Sequence, residues 1–336
     1  MTKKARIVAG SVAALILIGA IVALSITFPL IKMAINQNKY DLTPFSTESP
    51  GDRIYFLNTG SADAILIESD GKFALVDGAE DSDNPRGFEG LVYEGTEEYV
   101  LDCIKTIAGD ENGQVTLEFV LGTHAHSDHY GGLNEVILDD SITVKQVFVK
   151  AYDESLINSF EVTNWDNLQV YEGVVHACQR KNVPLVNDLP KESFQLGNFD
   201  VTICNTEAPA SDGLVGENEN SLGVLLEKGS QRAFLAGDIT TGGGDEDRLA
   251  DEIGDVDLLK IGHHGYEGST SKNFASKLDP EVAILTNSIH GMHKPPLRAL
   301  NKVNAAIYAT KENSGIAAEF ADGKIVLYNN IDAILT

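Results

Sequence analysis

The chain has 336 residues, 43% of them hydrophobic, which is enough for one large domain or two modest ones with a sizeable core. Its 50 acidic residues outnumber its 25 Lys and Arg residues, so the formal net charge is −25. Such a charge repels polyanions at long range and argues against a strong non-specific nucleic-acid groove, which needs a basic stripe. The three cysteines are widely spaced and match no metal-binding pattern.

The N-terminal 33 residues differ from the rest and predict a membrane anchor. Residues 7–31 carry no charge, and at about 1.5 Å per residue such a helix exceeds a hydrocarbon core of about 30 Å. A cleaved signal peptide is the alternative, because Ala23-Leu24-Ser25 is small-x-small. Three basic residues precede the apolar run, which places the N-terminus inside the cytoplasm. We therefore expect one N-terminal transmembrane helix and an extracytoplasmic domain, secreted if the segment is cleaved.

Residues 34–51 are predicted to be a polar linker, and residues 52–336 the catalytic domain. The first half of this domain has short apolar runs broken by Gly and Asp, which predict strands. Residues 78–98 are rich in Gly and acids and are predicted to be a loop insertion. The strands and one short helix of this half are predicted at Arg53–Asn58, Ala64–Glu68, Phe73–Asp77, Asp102–Ala108 (helix), Val115–Leu121 and Gln146–Lys150.

The second half repeats the order of strands followed by helices. Its helices are predicted at Trp165–Asn182, Asp245–Ile253, Ser271–Leu278 and Pro295–Val303. Its strands are predicted at Phe199–Asn205, Ser221–Glu227, Arg232–Ala236, Asp257–Ile261 and Val282–Thr286, with a closing hairpin over 316–329. Two halves of sheets covered by helices indicate an α/β or α+β fold.

The most informative segment is Thr-His-Ala-His-Ser-Asp-His at 123–129. His124 and His126 are two residues apart, so at the end of an extended strand both imidazoles point to the same side. Asp128 and His129 follow where the chain can turn back to the same point. Three imidazoles and one carboxylate form a site for a borderline metal, zinc first, with iron or manganese possible. The alternative, a chance histidine cluster on a surface loop, is disfavoured because the chain has only eight histidines.

Three later clusters also follow predicted strands. Asp238 ends an apolar strand and could bridge two ions, or alternatively cap the next helix. His263 and His264 are adjacent, so on extended backbone they point opposite ways and at most one is expected to bind the same metal. His293 follows strand 282–286 and is either a catalytic group or a loop residue.

These motifs together resemble the metallo-β-lactamase fold superfamily, and more narrowly the hydrolase domain of bacterial competence-channel proteins. The residues that carry the resemblance include the histidine heptad and are I-Y-F-L-N-T-G-S-A-D-A-I-L-I (54–67), V-D-G (76–78), N-E-N-S-L (218–222), L-A-G-D (235–238) and K-I-G-H-H-G (260–265). The resemblance implies an αβ/βα four-layer sandwich, of class α+β, with a two-metal site at its rim.

The resemblance also implies the ligands. One ion would be held by His124 and His126, and the other by Asp128, His129 and one of the two adjacent histidines, with Asp238 between them. The superfamily usually has a further His on the strand before the bridging Asp, but here that stretch is Ile203-Cys204-Asn205-Thr206-Glu207, and His176 comes too early. We therefore expect the first metal position to be weak, completed by solvent or selective for a harder ion.

A metal lowers the pKa of a bound water towards about 7 and so supplies hydroxide at neutral pH. Asp128 and Asp238 are predicted to orient the nucleophile, and His293 or the non-ligating member of the histidine pair to serve the leaving group. The resemblance implies a small or polymeric phosphodiester as the substrate. Two alternatives stay open, namely hydrolysis of a lactone, thioester or β-lactam, and a non-catalytic binding module of the same fold.

Overall fold

The computed structural model of the protein describes residues 18, 27–46, 50–82, 95–207 and 215–335. These residues form two mixed sheets that pack face to face. Ten strands make the first sheet, in the spatial order β1-β17-β16-β2-β3-β4-β5-β7-β8 with β6 beside β5. Their bounds are β1 Leu42–Pro44, β2 Arg53–Phe56, β3 Ile65–Ser69, β4 Lys72–Val76, β5 Val115–Leu121, β6 Ile142–Val144, β7 Val147–Phe148, β8 Leu185–Val186, β16 Ile316–Ala321 and β17 Lys324–Asn329.

Seven strands make the second sheet, in the order β15-β14-β13-β12-β11-β10-β9. Their bounds are β9 Phe194–Leu196, β10 Phe199–Cys204, β11 Gly223–Lys228, β12 Gln231–Leu235, β13 Leu258–Lys260, β14 Val282–Leu285 and β15 Ala306–Ala309. Strands β12 to β15 are parallel, as are β4, β5 and β7. The carboxyl ends of parallel strands meet at one edge of a sheet, so residues that follow β4 and β5 lie together in the first sheet, and those that follow β12 and β13 lie together in the second.

Helices cover the outer face of each sheet and complete four layers. Residues 27–37 are helical and are called α1, and the bounds of the other helices are α2 Glu97–Ala108, α3 Ser127–Tyr130, α4 Leu133–Leu138, α5 Ser159–Asn164, α6 Asn167–Lys181, α7 Asp245–Ile253, α8 Lys272–Leu278, α9 Lys294–Val303 and α10 Thr310–Asn313. Helices α2, α4 and α6 pack on the first sheet, and α7, α8 and α9 on the second. The predicted αβ/βα sandwich is therefore present in the described residues.

Alternate residues of the central strands face the space between the sheets. Phe56, Phe119, Val224 and Leu235 belong to this layer and are at most 1% exposed. Burying each such side chain stabilises the fold by about 1.5–3 kcal/mol. The opposite faces of the same strands contact the helices, which explains why the strand sequences are apolar on both sides.

The N-terminal part of the fold prediction is corrected. No helix in the described part of the chain is both long enough and apolar enough to cross a membrane, so the expected transmembrane helix is not supported. Residues 1–17 and 19–26, which contain most of the predicted span, lie outside the described residues. Helix α1 instead packs on the second sheet's helical layer through Met33, and Leu42–Pro44 pairs with β17 in the stretch predicted to be a linker. An extracytoplasmic location stays a prediction.

Candidate metal centre

The loop after β5 carries the histidine heptad into the gap between the two sheets. His124 and His126 are 2% and 7% exposed, and the Nε2 of His124 lies 2.9 Å from the Nδ1 of His126. The short helix α3 then turns the chain so that the rings of His124 and His129 lie 4.1 Å apart, centroid to centroid. The strand end and the following turn thus bring the rings of these three histidines close together.

The second sheet contributes Asp238 after β12 and the histidine pair after β13. His263 and His264 both have left-handed backbone, with φ of +49° and +47°. This conformation costs roughly 1–2 kcal/mol per non-glycine residue, so the surrounding structure must enforce it. The pair is therefore not extended, and both rings turn towards Asp238: the Nε2 of His264 lies 3.5 Å from Oδ1 and that of His263 lies 4.0 Å from Oδ2.

Four side chains carried by both sheets form the larger of two metal-type clusters in the described residues. One nitrogen or oxygen atom from each of Asp128, His129, Asp238 and His264 lies within 4.8 Å of the others. The Nε2 of His129 is 3.1 Å from the Nε2 of His264 and 3.3 Å from the Oδ1 of Asp238. The Oδ2 of Asp128 is 3.3 Å from the Nε2 of His264. Two nitrogens and two oxygens at this spacing match the donor set of a tetrahedral zinc site.

The outer nitrogen of each cluster imidazole already has an acceptor. The Nδ1 of His129 donates to the Oδ2 of Asp77 at 2.8 Å, and the Nδ1 of His264 donates to the carbonyl of Thr286 at 3.2 Å. In the neutral rings both Nε2 atoms therefore carry lone pairs, although they face each other and two carboxylates. Lone pairs in such contact need a cation or protons between them. The donor set therefore fits a divalent metal.

The same tautomer logic applies to the first two histidines. The Nε2 of His126 donates to the carboxylate of Glu161 at 3.2 Å, which leaves its Nδ1 as an acceptor. Thr123 donates its hydroxyl hydrogen to Asp77 and so accepts from the Nδ1 of His124 at 3.1 Å. The two inner nitrogens are again lone pairs that face each other. Residues that fix the outer nitrogen of metal-binding histidines orient the ring and raise its basicity.

The buried charges shift the pKa values of the cluster. Burial alone lowers the pKa of His129, but Asp238, Asp77 and Asp128 outweigh it and raise that pKa well above its usual value. Burial raises the pKa of Asp128, but the imidazoles of His129 and His264 dominate and lower it to about 2. The raised pKa of His129 reflects the carboxylates around it, and the lowered pKa of Asp128 reflects the cationic imidazoles beside it, so the cluster favours positive charge next to its carboxylates.

The position that lacks the usual histidine supplies no replacement ligand. Asn205 has φ +59°, donates to the carbonyl of Ser221 at 2.8 Å and accepts from Arg248. The side chain of Glu207 is 77% exposed and pairs with Lys191. Among the described residues, His124 and His126 belong to no group of three or more His, Cys, Asp or Glu side chains close enough together to hold a metal ion. His176 lies exposed on α6.

His293 is not brought into the cluster. Its exposed side chain lies at the N-terminus of α9, where its Nδ1 accepts from the backbone N–H of Glu267 at 3.1 Å. The ring of Tyr266 packs against it at 5.3 Å and lies between it and His263. Which of the predicted ligands bind a metal stays a prediction, and the geometry favours the four-residue cluster.

Four buried charged residues of the site were not predicted from the sequence as functional. Asp77 orients His129, and Glu161 orients His126. Lys260 is fully buried, donates to the carbonyl of Gly237 at 2.8 Å, lies 3.4 Å from Asp238 Oδ1 and pairs with Asp63. Asp77 lies in the V-D-G motif and Lys260 in the K-I-G-H-H-G motif, so the motifs could have indicated that these two residues belong to the site. Glu161 lies in no such motif.

Comparisons with known proteins agree with this architecture. A family model described as a beta-lactamase superfamily domain matches residues 100–286. ComE operon protein 3 of Bacillus subtilis is 26% identical over 204 residues, which cover 60% of this chain and 24% of that protein. Recombination protein 2 of Haemophilus influenzae is 26% identical over 113 residues, which cover 32% of this chain and 14% of that protein. The chain thus spans a quarter or less of these curated relatives.

Among solved structures, Zn(2+)-bound PqqB from Methylobacterium extorquens has a TM-score of 0.47 and 12% identity, and covers 80% of this chain and 100% of that one. The family match and the curated relatives confirm the resemblance inferred from the motifs.

Proposed function

The chain belongs to the beta-lactamase superfamily, and we propose that within this family it is a metal-dependent phosphodiesterase. Members of the superfamily are mostly metal-dependent hydrolases, and the described residues include a possible His/Asp metal cluster. The observation that carries the proposal is the set of inward-facing lone pairs on His129 and His264 beside Asp128 and Asp238. A purely structural core gains nothing from imidazole lone pairs that face each other beside two carboxylates, because buried polar groups without partners are costly.

Zinc is the proposed ion, with manganese or iron as alternatives. Two imidazoles suit zinc, and two carboxylates also accept harder ions. When bound, the ion would supply Lewis-acid chemistry, which activates water and neutralises charge on a phosphate. Asp128, His129, Asp238 and His264 would hold it. Asp77 and Thr286 keep the two imidazoles in the tautomer that presents Nε2 to the ion.

Two side chains beside the proposed ion, Asp128 and His263, are proposed to orient the water and to contact the substrate. The side chain of Asp128 is 28% exposed and, with its pKa lowered to about 2, stays ionised at neutral pH, so it can orient a nucleophilic water. His263 is 26% exposed and lies on the Oδ2 side of Asp238, where it can contact a substrate oxygen. Recognition at such a centre is local, so a small phosphodiester group can bind although the molecule carries a charge of −25.

The non-catalytic alternative rests on one observation. His124 and His126 lack a third ligand among the described residues, and the residue at the expected place, Asn205, is held by Ser221 and Arg248. A chain that had lost its first metal position could keep the fold as a binding module. The alternative predicts no bound transition metal and no turnover.

A substrate panel tests the proposal. The purified chain, loaded with zinc, is offered bis(p-nitrophenyl) phosphate, nitrocefin and a set of lactones. We expect hydrolysis of the phosphodiester alone, its loss after treatment with a chelator and its return with zinc. His264→Ala should lower both bound zinc and kcat/KM by about 100-fold or more, because it removes a ligand atom.

His176→Ala is the matched control, since this histidine is exposed on α6. It should change neither quantity. Turnover of nitrocefin or a lactone in place of the phosphodiester would favour a different hydrolase. A chain that binds no metal and turns over no substrate would favour the binding module.

A further inference from the structure

An exposed aromatic pair lies beside the metal centre. Among described residues between 50 and 335, the large hydrophobic side chains with the greatest exposure are Leu156, Phe160, Trp165 and Val326. Three of these four fall in one ten-residue segment around α5. Phe160 is 64% and Trp165 is 40% exposed, and their rings meet edge to face at 6.2 Å. Exposed apolar groups concentrated at one place mark a binding surface.

This aromatic pair is joined directly to the site. The indole of Trp165 packs edge to face on the imidazole of His126 at 4.7 Å. The Nδ1 of His126 in turn lies 2.9 Å from the Nε2 of His124, whose ring centroid is 4.1 Å from that of His129 in the metal cluster. Trp165 is 40% exposed, so part of the indole surface stays open to solvent. A ring resting there would lie on the side of the metal centre that His126 and His124 form.

The backbone beneath the pair is fixed. The side chain of Asn158 caps α5 by accepting from the N–H groups of Phe160 and Glu161. Glu161 is buried and accepts from His126, from Asn167 and from the N–H of Glu217. These contacts hold α5 against the site, while the Phe160 side chain stays exposed beside Trp165. A surface that is rigid before binding loses little entropy when a ligand docks.

We propose that Phe160 and Trp165 form a substrate subsite for a planar aromatic ring attached to the phosphate that the metal centre binds. The chemistry that fits is a neutral ring with a π face, such as a nucleobase or a simple aryl group. Stacking on aromatic side chains recognises any such ring without hydrogen-bond readout. The proposal rests on the proposed function for the position of the phosphate, but the binding of the ring does not require turnover.

Trp165 is the only tryptophan of the chain, so its fluorescence reports directly on this subsite. The zinc-loaded protein is titrated with uridine 5′-monophosphate, phenyl phosphate and ribose 5-phosphate. We expect saturable quenching by the aromatic probes and at least fivefold weaker binding of ribose 5-phosphate, which has the phosphate but no aromatic ring. The ratio of the two aromatic probes distinguishes a preference for a nucleobase from one for a simple aryl group.

Phe160→Ala should weaken binding of the preferred aromatic probe by about fivefold to a hundredfold, the usual range for loss of one stacking partner, and leave ribose 5-phosphate unchanged. Phe160→Leu keeps an apolar side chain and should behave like Phe160→Ala if the ring itself is recognised. Val326→Ala, the loss of an exposed apolar side chain on β17, is the matched control and should have no effect.

Equal affinity for the aromatic probes and ribose 5-phosphate would overturn the subsite, as would Phe160→Ala binding that matches Val326→Ala. Phosphocholine binding as tight as that of the aromatic probes would also overturn it, because a cationic head group would then be the ligand. Failure of the proposed function looks different. In that case the phosphodiester is not hydrolysed, while quenching by the aromatic probes still depends on Phe160.

Discussion

At the scale of single residues, buried charges are balanced in pairs around the site. Lys260 is the clearest case, because a fully buried ammonium is tolerated only when carboxylates compensate it. Asp63 and Asp238 do so, and they raise the pKa of Lys260 although burial alone would lower it. The lysine thus stays charged and limits repulsion among the carboxylates that would otherwise face one another.

Lys260→Met should therefore destabilise the metal-free protein. Removing one partner of a buried ion pair leaves uncompensated charge and costs about 3–5 kcal/mol. The free energy of unfolding is measured by urea titration in the presence of a chelator. Lys145→Met is the control, because Lys145 is 52% exposed in its pair with Glu118 and surface pairs contribute about 0–1 kcal/mol. Equal effects of the two substitutions would contradict the assigned role of Lys260.

At the scale of elements, local patterns predicted the strands that matter for the site. The strand Val115–Leu121 has the predicted bounds, and the helix Asp245–Ile253 likewise. The predicted helix Trp165–Asn182 instead starts at Asn167, after the separate short helix α5. The helix predicted to start at Asp102 begins earlier, at Glu97. The prediction missed the first turn because its acidic residues have the composition of a loop.

The remaining differences have a physical cause in long-range contacts. The strands β6 to β9 have two or three residues each and are stabilised by their neighbours more than by their own sequence. Likewise Glu161 approaches His126 only because α5 folds back onto the heptad. The metal-type residues could be predicted because they follow apolar strands, whereas the residues that orient them come from elsewhere in the chain.

Two glycines give an element-scale prediction. A Cβ on Gly132, before α4, would lie 2.2 Å from the carbonyl oxygen of Gly78, a backbone atom that cannot swing away. Gly132→Ala should therefore lower the free energy of unfolding by about 1–3 kcal/mol. Gly173 lies inside α6 with nothing within 4 Å of an added Cβ, so Gly173→Ala should raise it by about 0.5–1 kcal/mol. Urea titration of both variants measures the free energy of unfolding. Changes of the same sign in the two variants would contradict the close contact at Gly132 and the open space at Gly173.

At the scale of the whole molecule, the net charge sets which anions can approach the candidate metal centre. The acidic residues outnumber the basic ones two to one, and the sequence pI is about 4.5. A long polyanion is repelled by such a surface before it reaches the metal centre, whereas a small diester carries a single charge. Raising the salt from about 10 mM to about 100 mM shortens the Debye length from about 30 Å to about 10 Å and so removes most of this repulsion.

The whole-molecule prediction follows from this screening. If the protein hydrolyses phosphodiesters as proposed, kcat/KM for a single-stranded oligonucleotide should rise about tenfold over that salt range, because long-range repulsion slows encounter. For p-nitrophenyl methyl phosphate the change should stay below about twofold, and this small substrate is the control for salt effects on the centre itself. A polymer rate that falls with salt, as at a basic groove, would mean that a local positive surface captures the substrate despite the net charge.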